Sequence, residues 1–448
     1  MMQRQVNANP FPVIEPQQNV GVSDVQVADE SEEDLLINNL IYSMPKSLSL
    51  ATMRTYVRMF PEQRAVFVNK NNTVVTTWNT GNNYINAANS FLKFRLSNTY
   101  TVAGAHDTTF GSGSAINVIN SFMSRSRGGT ELARSENTNQ WARNNILYTH
   151  SQAWKDSVGS AFAVDQGGVH TRLTNLLDSY YTIPLVELDP FFSTHKNLLL
   201  PPQLCSGLRI ELGLEDPNRA CVASADAIQV LTMSEIEWVL DAVNLSDDTQ
   251  RVLNLESSQT GLEVSYRRVY TVSNNAPNLS TSMNMQLIKA VAQAETCFVH
   301  ITNPATDTSP LVDSFLSVPY NISSAQFRLG SLYMPQQPTR DYIVAAGAFS
   351  GQESYMIALQ AFDKLRHPFQ ESSVTLAQYE ADRGVIAVSF EKNQDLSVSG
   401  LSINNSRVLE LLLSFGVAIP QAQGVSVRMF LSYCSVSKCF IDNTAVAI

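Results

Sequence analysis

The chain has 448 residues and a formal net charge of −10, with its densest basic cluster limited to Arg125 and Arg127, which excludes a protein that holds nucleic acid by a cationic face. Charged residues make up only 16%, against a usual quarter, and Asn, Ser and Thr fill the gap; such a composition suits a turn-rich chain whose surfaces are buried against neighbours better than it suits a helical soluble enzyme. The length allows two or three domains.

Residues 1 to about 30 are rich in Asn, Gln, Val and Pro without periodicity and read as an extended arm. Acidic residues from Asp29 to Asp34 follow, then Leu35, Leu36, Ile37, Leu40, Ile41 and Tyr42 at helical spacing. Ser31 with Asp34 makes a weakened capping box, so one short amphipathic helix is expected before Pro45. The N-terminal stretch has no apolar core of the signal-peptide type, and no window approaches a membrane span, so the expectation is a protein made inside a cell and not secreted.

Strand signals begin after Lys46. They include Tyr56, the run Arg64–Val68, Thr73–Trp78, and Leu92, Phe94 and Leu96 alternating with Lys93 and Arg95. Ala115–Met123 reads as a strand, Glu131–Val158 as one or two helices or a long excursion, and Val169–Thr182 as holding a further short helix. The proline-rich loop from Pro184 to Pro202 suits a rigid connection, and its Phe191 and Phe192 read as aromatic packing within the same chain. Leu208, Ile210, Leu212 and Leu214 alternate with polar residues or glycine, a half-buried strand. Ala227–Leu231 and Ser234–Val243 are further strands, and polar Asn244–Gly261 is a linker with a helical turn.

Strands resume at Leu262–Val272, Met283–Ile301, Phe327–Tyr333, Val385–Phe390, Val408–Phe415 and Val425–Val436, with short helices at Tyr355–Phe362 and Val374–Glu380. An internal echo runs through the chain. Ser206-Gly207-Leu208 recurs as Ser399-Gly400-Leu401, and Ile236–Leu245 recurs in character at Arg428–Ser437, matching Trp238 to Phe430; both offsets are about 190 residues, the mark of a duplication. The expected organisation is an arm at 1–45 and two tandem jelly-roll sandwiches, 46–248 and 249–448, in an all-β fold with short helical excursions. The segments Thr101–Tyr180 and Thr339–Gln352 lack strong alternation and are expected to reach a neighbouring subunit.

Nucleophile-elbow, P-loop, GxGxxG and HExxH motifs are missing from the sequence. The six histidines are scattered without ligand spacing, so no metal and no cofactor are expected; His195, beside the proline-rich loop, reads as a loop anchor. Glu187 with Asp189, and Asp247 with Asp248, read as turn carboxylates. Five cysteines without a CxxC pair read as buried thiols in a reducing compartment.

The ordered segments SFLKFRLSN, SRGGTELAR, IPLVELDPFFS, LRIELGLED and IEWVLDAVNLSDD, then AQFRLGSLYMPQQP, MIALQAFDK and SGLSINNSRVLELLLSF, resemble the double-jelly-roll major capsid proteins of virophages, polinton-like viruses and adintoviruses. The resemblance covers residues 46 to 448 and rests on character and order rather than identity. It implies two jelly rolls side by side, three copies in a pseudo-hexagonal capsomer of an icosahedral DNA virus, no catalytic residues and no cofactor. Its partners would be the protein itself as a homotrimer, then neighbouring capsomers and penton and minor capsid or cement proteins, with room for an inner membrane and no direct nucleic acid binding. The chain is short beside the family's larger members, which argues against elaborate tower loops. Two other readings compete. One is a penton or RNA-virus shell protein; the other is a β-sandwich glycan-binding protein or glycosidase, which needs an aromatic platform or carboxylates roughly 5–10 Å apart.

Overall fold

Alternation along the chain becomes sheet wherever one face meets an apolar partner. The computed structural model describes residues 51–448 apart from 101–106, 166–172, 175–178, 194–198, 224–228, 308, 344–347, 366–370, 393–398, 404–407, 421, 441–444 and 448. The arm positions Leu35, Leu36, Ile37, Leu40, Ile41 and Tyr42, and His195, lie outside the described residues.

The first half contributes β1 (Ala51–Met59), β2 (Ala65–Phe67), β3 (Thr73–Thr77), β4 (Tyr84–Tyr100), β5 (Asp107–Thr109), β6 (Ile119–Arg125), β7 (Glu131–Glu136), β8 (Leu173–Thr174), β9 (Ser179–Pro184), β10 (Arg209–Leu214), β11 (Val222–Ala223) and β12 (Gln229–Leu245). The second contributes β13 (Leu262–Ala276), β14 (Ser282–Leu287), β15 (Val291–Thr302), β16 (Ile322–Leu329), β17 (Leu332–Met334), β18 (Tyr342–Ile343), β19 (Ala348–Phe349), β20 (Ile386–Ser389), β21 (Leu401–Ile403), β22 (Leu409–Phe415), β23 (Val425–Cys439) and β24 (Ala445–Ala447). Two four-strand paths make each sandwich. They run β1-β12-β4-β9 and β3-β10-β6-β7 in the first half, and β13-β23-β15-β20 and β14-β22-β16-β17 in the second. Counting those eight strands along either half, the orders are the same, 1-8-3-6 facing 2-7-4-5, so each half is a jelly roll.

Period-two patterning decides which face is inside. Ile210, Leu212 and Leu214 on β10, and Leu409, Leu411, Leu413 and Phe415 on β22, are buried, with less buried residues between them. Trp238 on β12 crosses the first sandwich, where its Nε1 donates to Thr76 Oγ1 at 3.0 Å and its ring meets Trp78 edge-on at 5.6 Å. The two strands expected around Ser234 are one, β12, interrupted by a bulge against β4 where Glu235 takes a φ of 50°.

Several other expectations change. Ala115–Val118 is a 3-10 turn capped by Ser114, and the strand starts only at Ile119. Glu131–Glu136 pairs with β6 before the helix Thr138–Thr149 begins, followed by the helix Gln152–Ser157. Within Val169–Thr182, where a short helix was expected, the described residues form β8 and the start of β9, and positions 169–172 and 175–178 lie outside the described residues. The polar linker holds a full helix, Asp247–Gln259, with two acids in its first turn. The later helices form at Gln352–Ala361 and Leu376–Ala381.

The echo fares unevenly. β12 and β23 do hold the same place in their sheets. Matching Trp238 to Phe430, however, is off by one residue. Trp238 points into its own sandwich, while Met429 and Leu431 do so in the second and Phe430 joins the core cluster shared with the first half. A one-residue slip puts a side chain on the opposite face. Nor are the two Ser-Gly-Leu triplets counterparts: Gly207 leads into β10 with a φ of 89°, whereas Gly400 leads into β21, which pairs with β15, and packs closely on the Ala294 carbonyl.

Candidate assembly surfaces

One surface of the chain joins its own halves, whose residues share a core cluster. The helix Thr138–Thr149 is amphiphilic nowhere, yet ten of its twelve residues are buried. Its polar side chains are hydrogen-bonded. Asn139 donates to Glu215 at 3.0 Å, Arg143 Nε donates to Ser112 Oγ at 3.0 Å, and Asn144 Nδ2 donates to His300 Nδ1 at 3.0 Å. Arg428 donates to Gln140 at 3.2 Å and to Thr302 at 3.1 Å. Each of these buried Asn, Gln and Arg side chains makes at least one hydrogen bond, which offsets part of the cost of burying it, although Gln140 Nε2 and Arg143 Nη2 have no partner. Burial, with Arg143, Arg428 and Arg219 nearby, holds His300 well below the usual imidazole range. Burial and Arg219 lower the Arg428 guanidinium to about 10.

Apolar contacts complete this seam. Phe298 on β15 stacks on Phe430 at 5.0 Å and meets Phe362 at 5.5 Å, and Phe362 stacks on Tyr148 at 4.8 Å. Phe191 meets Tyr266 at 5.2 Å, while Phe192 packs on Trp78 at 5.8 Å, so the two loop phenylalanines serve the chain's own core as expected. At one side of the seam β13 runs beside β7. There Thr271 Oγ1 donates to the Glu136 carbonyl at 2.9 Å and Arg268 lies 3.5 Å from Glu131. Asp165 takes Lys155 at 2.8 Å and both nitrogens of the Arg383 fork, at 2.6 and 2.9 Å. The stretch Thr101–Tyr180, expected to reach another subunit, therefore spends its helix inside its own chain.

A second surface is the outer face of the β1-β12-β4-β9 sheet. Arg54, Tyr56 and Arg58 point outward on β1, opposite Val57 and Met59, which face the core. Asp241, Val239 and Glu237 of β12, Phe91, Lys93 and Arg95 of β4 and Tyr180 of β9 continue it. The charges are matched: Arg54 grips Asp241 at 2.6 and 2.7 Å, Arg58 meets Glu237 at 2.9 Å, Arg95 meets Glu235 at 2.9 Å, and Lys93 lies 5.0 Å above the Tyr180 ring. Tyr56, 58% exposed, lies 6.5 Å from Phe91. The Arg-x-Tyr-x-Arg spacing of β1 was a legible signal for this face.

A groove of about 850 Å³ opens along the seam, lined by Trp141, His150, Glu187, Arg267, Glu295 and Phe362 among others. In it His150 Nε2 lies 2.9 Å from one carboxylate oxygen of Glu187, whose other oxygen has no partner, and Arg267 lies 2.9 Å from Glu295. Buried Asp165, Glu215, Asp241 and Glu295 each face a cation, the arrangement of a structural ion pair. Glu187 and Asp189, read as turn carboxylates in solvent, are both buried. Asp189 caps the turn Pro190–Phe192, and burial raises its carboxyl to about 7. All five cysteines are free and buried, and burial raises each thiol. Among the described residues no group of three His, Cys, Asp or Glu is placed to hold a metal ion, and no helix is long and apolar enough to cross a membrane.

No protein-family model matches the sequence, and no curated protein matches it. Solved structures do. VP54 of PBCV-1, as fitted into a cryo-EM reconstruction of the virophage Sputnik, superposes with a TM-score of 0.61 at 13% identity over 91% of this chain and 98% of that one. A chain of the Sputnik virophage structure gives 0.60 at 11% identity over 97% and 93%, and the mavirus major capsid protein gives 0.50 at 10% over 97% and 96%. The likeness spans both jelly rolls, and the chain has the double-jelly-roll fold found in the major capsid proteins of such viruses.

Proposed function

We propose that the chain is the major capsid protein of an icosahedral DNA virus, acting as a structural protein of the virion, and that three copies form a pseudo-hexagonal capsomer. The observation that carries the reading is the repeated strand order, two jelly rolls of one topology fixed side by side in one chain. One such subunit offers two similar corners, so three offer six, and a ring closed by identical contacts stops open-ended growth. The buried carboxylates Asp165, Glu215 and Glu295 each face a cation, an arrangement that suits a shell subunit better than a hydrolase. Capsomers would then meet one another and penton and minor capsid or cement proteins, with an inner membrane compatible with the same plan. Negative-stain images of the purified protein test this: six-cornered particles support it, and five-fold particles or isolated subunits refute it.

Contact with the genome would be left to other proteins. At net charge −10 the chain has few sites for phosphate, and at about 0.15 M salt DNA binding should be weak. Tight, salt-sensitive retention of DNA in a filter or mobility assay would count against this division of labour.

A further inference from the structure

The groove along the seam is built from both halves, and its charge has one sign. Among the described residues that line it, Glu187, Glu295, Asp363 and Glu391 are carboxylates, set against Arg267 and the imidazole of His150. Glu187 is 6% and Glu295 4% exposed, so two of the four stand where water solvates them poorly. Arg267 Nε donates to Glu295 Oε2 at 2.9 Å, yet burial still raises that carboxyl above its ordinary value. His150, stacked on Trp154 at 3.7 Å, meets Glu187 through Oε1 alone. The other oxygen, Oε2, is buried and has no hydrogen-bond partner. A buried carboxylate oxygen without a donor is unfavourable, so the groove calls for a cation at this point. Trp141, Phe298 and Phe362 line the same groove. Rings beside carboxylates suit a guanidinium or ammonium whose methylene stem lies along the aromatic faces.

We infer that this groove binds a basic segment of another protein, with an arginine or lysine side chain reaching Glu187. At about 850 Å³ it holds several residues of chain, more than one small cation fills. The chain's own arm has the wrong charge for it, with Arg4 against seven acids before Lys46. The groove takes residues from both jelly rolls, so its occupant would tie one to the other. This rests on the capsid reading for the partner's place in the shell, and it gives a minor or cement protein a chemistry.

Fluorescence anisotropy tests this with the purified full-length chain and a labelled, end-capped tetra-arginine peptide. A tetra-citrulline peptide is the uncharged control. The wild type should bind the first and not the second. Glu187→Gln keeps an oxygen for His150 and should weaken binding about tenfold. Asp363→Asn alters an exposed position whose φ of 57° asparagine tolerates, and should weaken binding about threefold. Glu256→Gln removes the same charge at an exposed position outside the groove and should change nothing. Thermal melts show whether each variant is folded; if Glu187→Gln is not, Asp363→Asn against Glu256→Gln still decides. Equal binding by all four chains would mean that the acidic surface at large holds the peptide, and would overturn the inference. So would no binding by the wild type, or spermine binding as tightly as the peptide, since the occupant is then no protein segment. Trimers in light scattering without peptide binding would sink this inference and leave the capsomer standing.

Discussion

His300 shows how a single side chain reports on the seam. Its Nδ1 accepts from Asn144, it is fully buried, and three arginines surround it, so the folded protein keeps it neutral. In the unfolded chain it would take a proton near pH 6.5. Below that value the unfolded state binds more protons than the folded one, so stability falls as the pH falls; above it the contribution is flat. Asp189 works the other way. With its carboxyl raised to about 7, the folded state holds a proton that the unfolded state releases between about pH 4 and 7, so stability falls as the pH rises through that window. Melting curves should separate the two. Relative to the wild type, His300→Gln should lose less stability between pH 6.5 and 5, with a slope difference of up to about 1.4 kcal/mol per pH unit. Asp189→Asn should remove the opposite slope. Parallel curves for wild type and His300→Gln would mean that the imidazole is charged in the fold. Neither group was legible in the sequence: His300 was one of six scattered histidines, and Asp189 sat among loop residues that usually meet solvent.

At the scale of elements, alternation was legible and burial of polar residues was not. β10 and β22 announced themselves because Leu and Ile alternate with residues that face outward. The helix Thr138–Thr149 gave no apolar stripe, since its Asn, Gln and Arg side chains are satisfied by groups distant in sequence. The bulge in β12 hid one strand as two, and the echo found equivalent strands while missing their register by one residue. This helix makes the halves interdependent. Cutting the chain near Asp248 would leave Asp165 without Arg383 and uncover Tyr148 and Phe191. A fragment ending there should be insoluble or bind a hydrophobic dye; a soluble fragment with a cooperative melt and no dye binding would contradict this. The arm poses a separate question. A lone helix of about ten residues is not stable in water, so the helix expected at Leu35, Leu36, Ile37, Leu40, Ile41 and Tyr42 would need a surface to dock on. We expect a neighbouring subunit or the inner capsid surface to receive them. Leu36→Ser with Leu40→Ser should leave the subunit's melt unchanged and impair assembly; an unfolded subunit would assign the helix to the subunit's own core.

For the molecule as a whole, the all-β class and the double jelly roll were readable from strand spacing, the duplication and the resemblance, and the fold bears them out. What could not be read is which face of each sheet is covered, because that depends on how two halves of similar character are docked. Assembly contacts of the obligate class bury more than about 2,000 Å², and such a contact should survive modest dilution. Light scattering on the purified protein measures this directly. The account predicts a species of three times the 49.4 kDa chain mass that persists on dilution; a stable monomer or a pentamer would contradict it.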